Sequence, residues 1–153
     1  VIDRIPELLQ DSANGNDLLE HWVTKYPNFE YYFQIHVTSP FTSENTIRDC
    51  VKVLTKDTHD SIFTAYEDKT WYWFNGKPVN YDPLNFPRSQ DAKGLIKETT
   101  CLYGIKKQQF LNKRARVGRN PFIYLVDYQQ SLDIDNEQDF EYCNFLKTKK
   151  QIK

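Results

Sequence analysis

Residues 31–66 read YYFQIHVTSPFTSENTIRDCVKVLTKDTHDSIFTAY, and this stretch decides the fold class. Tyr31 to Val37 is dense in aromatic and β-branched residues, which suit a buried pleated surface. The strand ends at Thr38-Ser39-Pro40, because proline has no N–H to give to a ladder. Ser43 then stands where an N-cap belongs. Ile47, Cys50, Val51 and Leu54 follow at helical spacing, so residues 44–55 are predicted to form an amphipathic helix. Ser61 to Tyr66 returns to strand composition. Strand, helix and strand in succession argue for an α/β domain whose sheet is mostly parallel.

The same alternation extends in both directions. Upstream, Asp17 to Lys25 is predicted helical, with Leu18, Leu19 and Trp22 inward. Downstream, Glu98 to Ile105 reads as a strand, Lys106 to Asn112 as a helix and Phe122 to Val126 as a short strand. Asn136 to Lys147 closes the pattern as a helix carrying Phe140, Cys143 and Phe145 or Leu146 on its apolar face. One segment departs from the plan. Trp71 to Phe74, the pair Asn75-Gly76 and Lys77 to Asn80 predict a β-hairpin, since Asn-Gly suits both positive-φ positions of a type I′ turn. The hairpin is read as an insertion at about residues 68–82 in one domain spanning residues 1–153. Tyr81 to Asp91 follows as a loop punctuated by Pro83 and Pro87.

Composition removes several function classes. The chain has 153 residues, a net charge of −1, 39% hydrophobic and 15% aromatic residues, so it is expected to build a core. No basic field calls for nucleic acid or an anionic membrane. The basic run Lys147-Thr148-Lys149-Lys150 is explained by a solvated helix end. No apolar run approaches the roughly 20 residues that span a bilayer. The chain opens Val1-Ile2-Asp3-Arg4, without methionine, basic start or apolar core, and is read as beginning inside a longer protein. Cys50, Cys101 and Cys143 are far apart, with no CxxC spacing, so reduced buried thiols and a cytoplasmic setting are expected.

Several phrases then fall in one order along the chain. They are Arg4-Ile5-Pro6-Glu7-Leu8 with Asp11 and Gly15-Asn16-Asp17-Leu18-Leu19, then Ile35-His36-Val37-Thr38-Ser39-Pro40-Phe41, then Asp60-Ser61-Ile62-Phe63-Thr64. Further on come Pro87-Arg88-Ser89-Gln90-Asp91, Glu98-Thr99-Thr100-Cys101-Leu102-Tyr103, Arg116-Val117-Gly118, and Ser131-Leu132-Asp133-Ile134-Asp135 with Asp139-Phe140 behind. In this order, over residues 1–146, they resemble the acylneuraminate cytidylyltransferases, relatives of the enzymes that make CMP-Kdo. The resemblance implies a three-layer α/β fold of the nucleotide-diphospho-sugar transferase type, N-terminally truncated, and usually a homodimer. It implies a reaction in which CTP and an acidic sugar, a nonulosonic acid, give the CMP-sugar and pyrophosphate. Two departures stand out. The family's opening strand and Gly/Ser loop with Arg and Lys, which hold the CTP triphosphate, have no counterpart here. His36 and Val37 also stand where the family often has Gln-Pro. The alternative is a non-catalytic truncated paralogue that dimerises or binds a sugar acid without turnover. A third reading is a carbohydrate-binding module built on the aromatic hairpin.

By the resemblance, Asp133 and Asp135 hold Mg²⁺ and one of them helps deprotonate the attacking hydroxyl. Two positions apart on extended chain, both carboxylates point the same way while Ile134 points inward. Mg²⁺ commonly takes one or two carboxylates together with substrate phosphates and water. A structural role for Asp135 as N-cap of the last helix remains open beside this one. Arg4 is expected to reach the nucleotide or to pair with Asp3 or Glu7. Thr38, Ser39 and Pro40 close a strand at the edge of the sheet where ligands sit in open α/β folds, and are expected on the nucleotide. On the sugar side the resemblance places His36, Arg88, Gln90, Asp91, Lys97, Glu98, Thr99 and Tyr103. For His36 a core role is equally open, and Arg88 to Asp91 also reads as a solvated loop. Trp71-Tyr72-Trp73-Phe74 has three readings: a sugar-stacking face, an RNA platform, or the buried core of a dimer contact. The scarcity of interleaved basic residues disfavours RNA, and the dimer contact is the favoured one.

Overall fold

The computed structural model describes residues 4–150. Four strands form the central sheet: β1 (Tyr31–Ile35), β2 (Ser61–Asp68), β5 (Leu95–Lys106) and β6 (Pro121–Leu125), in the order β1-β5-β2-β6. Between β2 and β5 lies a separate two-stranded hairpin of β3 (Trp73–Phe74) and β4 (Lys77–Pro78). The helices are α1 (Gly15–Lys25), α2 (Glu44–Leu54), α3 (Lys107–Lys113) and α4 (Glu137–Lys150), with 3₁₀ turns at Pro6–Leu9 and Ser89–Asp91.

The fold is mixed α/β, as the sequence predicts. β2 pairs parallel with β6, and both β1 and β2 pair antiparallel with β5. Three strands therefore run one way, and β5 runs against them between β1 and β2. The C-terminal ends of β1, β2 and β6 consequently share one edge of the sheet.

Helices cover both faces of the sheet. On one face Cys50 and Leu54 of α2 pack on Ile62 and Leu102, with Phe33, Ile47 and Phe122 around them. On the other, Leu19 and Val23 of α1 meet Ile105, Phe110 of α3 and Tyr32. β1 serves both layers because successive side chains alternate: Tyr31 and Phe33 face α2, and Tyr32 faces α1. The spacing Ile47, Cys50, Leu54 is the helical stripe seen in the sequence. Ser43 caps α2 as expected, its hydroxyl accepting from the Thr46 N–H at 3.0 Å.

Two local devices shape the long strand β5. Opposite Thr64 the register slips, with Phe63 facing Tyr103 but Ala65 facing Glu98. Residues 99–102 bulge there, and the Thr64 hydroxyl fastens the bulge by accepting from the Leu102 N–H at 3.0 Å, with the Thr99 hydroxyl 2.8 Å away. Gly104 lets β5 pass beneath its neighbours, because a Cβ there would stand 2.5 Å from Phe33 Cε1 and 2.8 Å from Ile62 Cγ2.

The hairpin forms where Asn75-Gly76 predicts it, with φ of 50° and 73° at the two turn residues. Asn80 fastens its base: the side-chain amide donates to the carbonyls of Thr70 and Lys93, each at 2.7 Å, and accepts from the Tyr72 N–H.

Candidate active site

The shared C-terminal edge of β1, β2 and β6 gathers most of the site. β1 stops at Ile35, and His36 to Thr42 form turns, with the Ser39 N–H donating to His36 O and the Thr42 N–H to Ser39 O. Beyond β6, Asp127 to Ser131 make a second turn, in which the Gln130 side-chain oxygen accepts from the Ser43 N–H at 3.1 Å and from the Thr46 hydroxyl at 2.6 Å. That turn is thereby anchored to the start of α2. The segment after it comes back to the first turn, where the Ile134 N–H donates to Thr38 O at 2.9 Å. This bond brings Asp133 and Asp135 beside Thr38 to Pro40.

His36 sits at the centre. Its ring lies 6.0 Å from that of Tyr103, edge to face. Burial disfavours the imidazolium, and the charges of Arg116 and Arg4 add to this, so its pKa falls below the ordinary histidine value although Asp133 pulls the other way. The imidazole is held neutral, with one donor and one acceptor to offer. Tyr103 donates its hydroxyl to Glu98 Oε1 at 2.6 Å. Burial, and secondly that bond, push the phenol well above its ordinary range, so it stays protonated. Above the Tyr103 ring lies the Arg116 guanidinium, with Cζ 3.7 Å from the centroid.

Asp133 has a carboxylate oxygen, Oδ1, that is buried without a hydrogen-bond partner in the chain. An orphaned carboxylate oxygen is costly unless something from outside the protein meets it. Asp135 is exposed. The cap of α4 is another residue: Asn136 Oδ1 accepts from the Asp139 N–H, and Asp139 Oδ2 accepts from the N–H groups of Asn136 and Asp135. The Asp135 carboxylate is thus not used as the N-cap, which removes the structural alternative left open by the sequence. Ile134 turns away from its neighbours and lines an apolar cleft of about 500 Å³ with Pro40, Phe41, Phe140 and Cys143. The Asp133 carboxylate, with its unpartnered buried oxygen, suits a hard cation that draws its remaining ligands from phosphates and water, and Asp135 stands two residues further on, exposed. Among the described residues no group of three or more His, Cys, Asp or Glu side chains forms a metal site by itself.

The other predicted residues divide. Arg4 is exposed and close enough to influence His36 electrostatically. Ser39 is buried, and its hydroxyl lies 3.0 Å from that of Thr100, so it braces the turn. Thr99 is buried in the bulge, bonded to Thr64. Lys97 is exposed on β5, where its charge acts on Asp68 near the hairpin. Arg88 pairs with Asp91 at 2.7 Å on the exposed 3₁₀ turn, with Gln90 between them.

Two site residues escaped prediction. Gln34 donates its side-chain amide to Gly15 O at 2.7 Å, while its Oε1 is buried without a partner. Arg116 was visible only as part of Arg-Val-Gly and carried no assigned role. Its placement depends on Asp60, whose carboxylate accepts from the Ser61 hydroxyl and from the N–H groups of Arg119 and Asn120, each at 2.8–3.0 Å. Such a clamp joins residues far apart in sequence, and no local pattern announces it.

No family model matches the sequence. The chain is 26% identical over 145 residues to N-acylneuraminate cytidylyltransferase A of Danio rerio, covering 90% of this chain and 34% of that protein. It is 25% identical over 154 residues to N-acylneuraminate cytidylyltransferase of Escherichia coli O18:K1:H7 (strain RS218 / NMEC), covering 96% and 37%. Several of its curated sequence relatives are N-acylneuraminate cytidylyltransferases. The resemblance carried by the ordered motifs therefore holds across nearly the whole chain, which spans about a third of the length of these relatives. The chain is also 22% identical over 130 residues to post-translational flagellin modification protein B of Campylobacter coli, covering 81% and 55%. Among solved structures, 4-diphosphocytidyl-2C-methyl-D-erythritolsynthase from Anaerococcus prevotii DSM 20548 superposes with a TM-score of 0.56 at 14% identity, covering 89% of this chain and 68% of that one. At that identity the likeness concerns the fold, and it supports the nucleotide-diphospho-sugar transferase type.

Proposed function

We propose that this chain carries the sugar-acid and metal-binding side of a cytidylyltransferase that transfers CMP from CTP to a nonulosonic acid. The observation that carries the reading is the meeting of His36, Tyr103, Arg116 and Asp133 at one sheet edge, with Asp133 Oδ1 buried and unsatisfied. In this reaction a sugar hydroxyl oxygen forms a bond to the α-phosphorus of CTP, the bond from that phosphorus to pyrophosphate breaks, and the hydroxyl proton leaves to a base. Asp133 and Asp135 would hold Mg²⁺, which supplies offsetting charge for the departing pyrophosphate. One of the two carboxylates would take the hydroxyl proton. His36, kept neutral, offers a hydrogen bond to the sugar where the family often has Gln. Arg4 and the Thr38 to Pro40 turn serve the nucleotide.

Two further properties belong to the same reading. The hairpin and the loop after it, with Trp73, Phe74, Leu84 and Phe86 exposed, pair with a second copy of the chain. The buried thiols suit the reducing cytoplasm, since burial pushes Cys50 up to about 12 and keeps it protonated. No helix among the described residues is long and apolar enough to cross a membrane.

The test is a calorimetric titration with CTP, with and without Mg²⁺, on the wild-type chain and on Asp133→Ala/Asp135→Ala. Mg²⁺-dependent binding that disappears in the double variant is the expected result. A folded wild-type chain that binds no CTP in either condition speaks for the non-catalytic paralogue.

A further inference from the structure

Arg116 is set apart from Arg48, Arg88 and Arg114 by having no carboxylate partner among the described residues, and from Arg4 and Arg119 by being partly buried. Arg48, Arg88 and Arg114 each pair with a carboxylate on the surface, to Glu44, Asp91 and Glu20. Arg116 is partly buried and forms no ion pair among the described residues. It is nevertheless held on three sides. The Tyr103 ring lies beneath it at 3.7 Å, and that ring is itself tethered through its hydroxyl to Glu98. Its backbone N–H donates to Asn16 Oδ1 at 2.9 Å, tying it to the start of α1. Gly15 stands beside the guanidinium so closely that a Cβ would be 2.6 Å from Nη1.

A guanidinium fixed in orientation without a counter-ion is a preorganised fork for a planar anion. Its neighbours narrow the choice. His36 is neutral and offers one donor and one acceptor, and Tyr103 remains protonated. Such surroundings suit a carboxylate attached to a hydroxylated ring. The phosphates of CTP are equally anionic, but the unsatisfied carboxylate, Asp133, is the group expected to meet them through a cation. We propose that Arg116 receives the carboxylate of the sugar acid, with Tyr103 as its platform and Gly15 leaving the space in which it lies. The assignment rests on the cytidylyltransferase reading above.

The test compares binding of N-acetylneuraminic acid, its methyl ester and Mg²⁺–CTP by calorimetry. The wild-type chain is expected to prefer the acid to the ester by about tenfold or more, the scale of one charge-assisted contact. Arg116→Gln is expected to erase that preference and leave Mg²⁺–CTP binding unchanged. Gly15→Ala, which keeps the charge and suits a helix, is expected to displace the guanidinium and weaken binding of the acid several-fold with no fall in thermal midpoint. An Arg116→Gln chain that still discriminates acid from ester overturns the proposal. So does one that loses Mg²⁺–CTP binding and keeps the discrimination, which would put Arg116 on phosphate. A wild-type chain that binds Mg²⁺–CTP but does not distinguish acid from ester overturns the carboxylate assignment alone. A folded wild-type chain that binds neither ligand overturns the parent reading and this one with it.

Discussion

At the scale of single residues, His36 ties the site to pH. Its proton affinity is lowered first by burial and then by Arg116 and Arg4, against the opposing pull of Asp133. In the unfolded chain the imidazole returns toward the ordinary value of 6.5. Between the lowered native pKa and 6.5 the unfolded state binds more protons, so stability rises with pH through that window. The contribution is therefore fully present above about pH 6.5 and fades as pH falls through the native pKa. Following the imidazole by NMR should give a native midpoint below 6.5, moved up by Arg116→Gln and further down by Asp133→Asn. His36→Gln should remove this part of the pH dependence of unfolding. A midpoint at or above 6.5 in the native chain would contradict the electrostatic account of the site. The sequence could not show this. It placed His36 in a strand-end motif, while the charges around it arrive from residues 4, 116 and 133.

At the scale of elements, the turn after α3 depends on one carboxylate. Asp60 holds the Ser61 hydroxyl and two backbone N–H groups, and Gly118 approaches so closely that a Cβ would lie 2.3 Å from Asp60 Oδ1. Asp60→Asn turns an amide NH₂ toward donors on one side or the other. It should cost roughly 0.5–1.5 kcal/mol, the usual net worth of a hydrogen bond, since the group is only half-buried. Denaturant unfolding should show this as a lower midpoint at an unchanged slope. An Asp60→Asn chain as stable as wild type would mean that the turn is held by something other than this carboxylate. The elements themselves were largely legible. α2 and its Ser43 cap, β2, β6 and the Asn75-Gly76 hairpin lie where periodicity and turn chemistry put them, and the ends differ by a few residues. β5 is the exception, running from Leu95 to Lys106 where composition suggested Glu98 to Ile105. Its extra length pairs with Tyr66 to Asp68, and the bulge opposite Thr64 interrupts the alternation that would have revealed it.

For the whole molecule, strand direction and outward surface were the hardest features to read. Alternating strands and helices implied a mostly parallel sheet, and β1, β2 and β6 do run one way, but the reversal of β5 leaves no local mark, since the hairpin and a long loop separate it from β2. The hairpin was legible as a hairpin, but its packing was not. Trp71 lies 5.1 Å from Tyr81 and 5.0 Å from Phe86, and the Trp73 indole N–H donates to the Tyr81 hydroxyl at 2.7 Å. The projection thus has a small aromatic core of its own. What remains outside it is apolar: Phe74 is 70% exposed and Leu84 97%. Each such side chain gains roughly 1.5–3 kcal/mol when buried, enough for a few of them to hold two copies together. Sedimentation velocity should therefore show a dimer for the wild-type chain. Phe74→Ser with Leu84→Ser should shift it to monomer and leave the unfolding transition in place, because neither residue belongs to the internal aromatic cluster. Trp71→Ala should instead loosen the hairpin itself. A wild-type chain that sediments as a monomer at micromolar concentration would remove the dimer from the reading and leave the exposed aromatics to another partner.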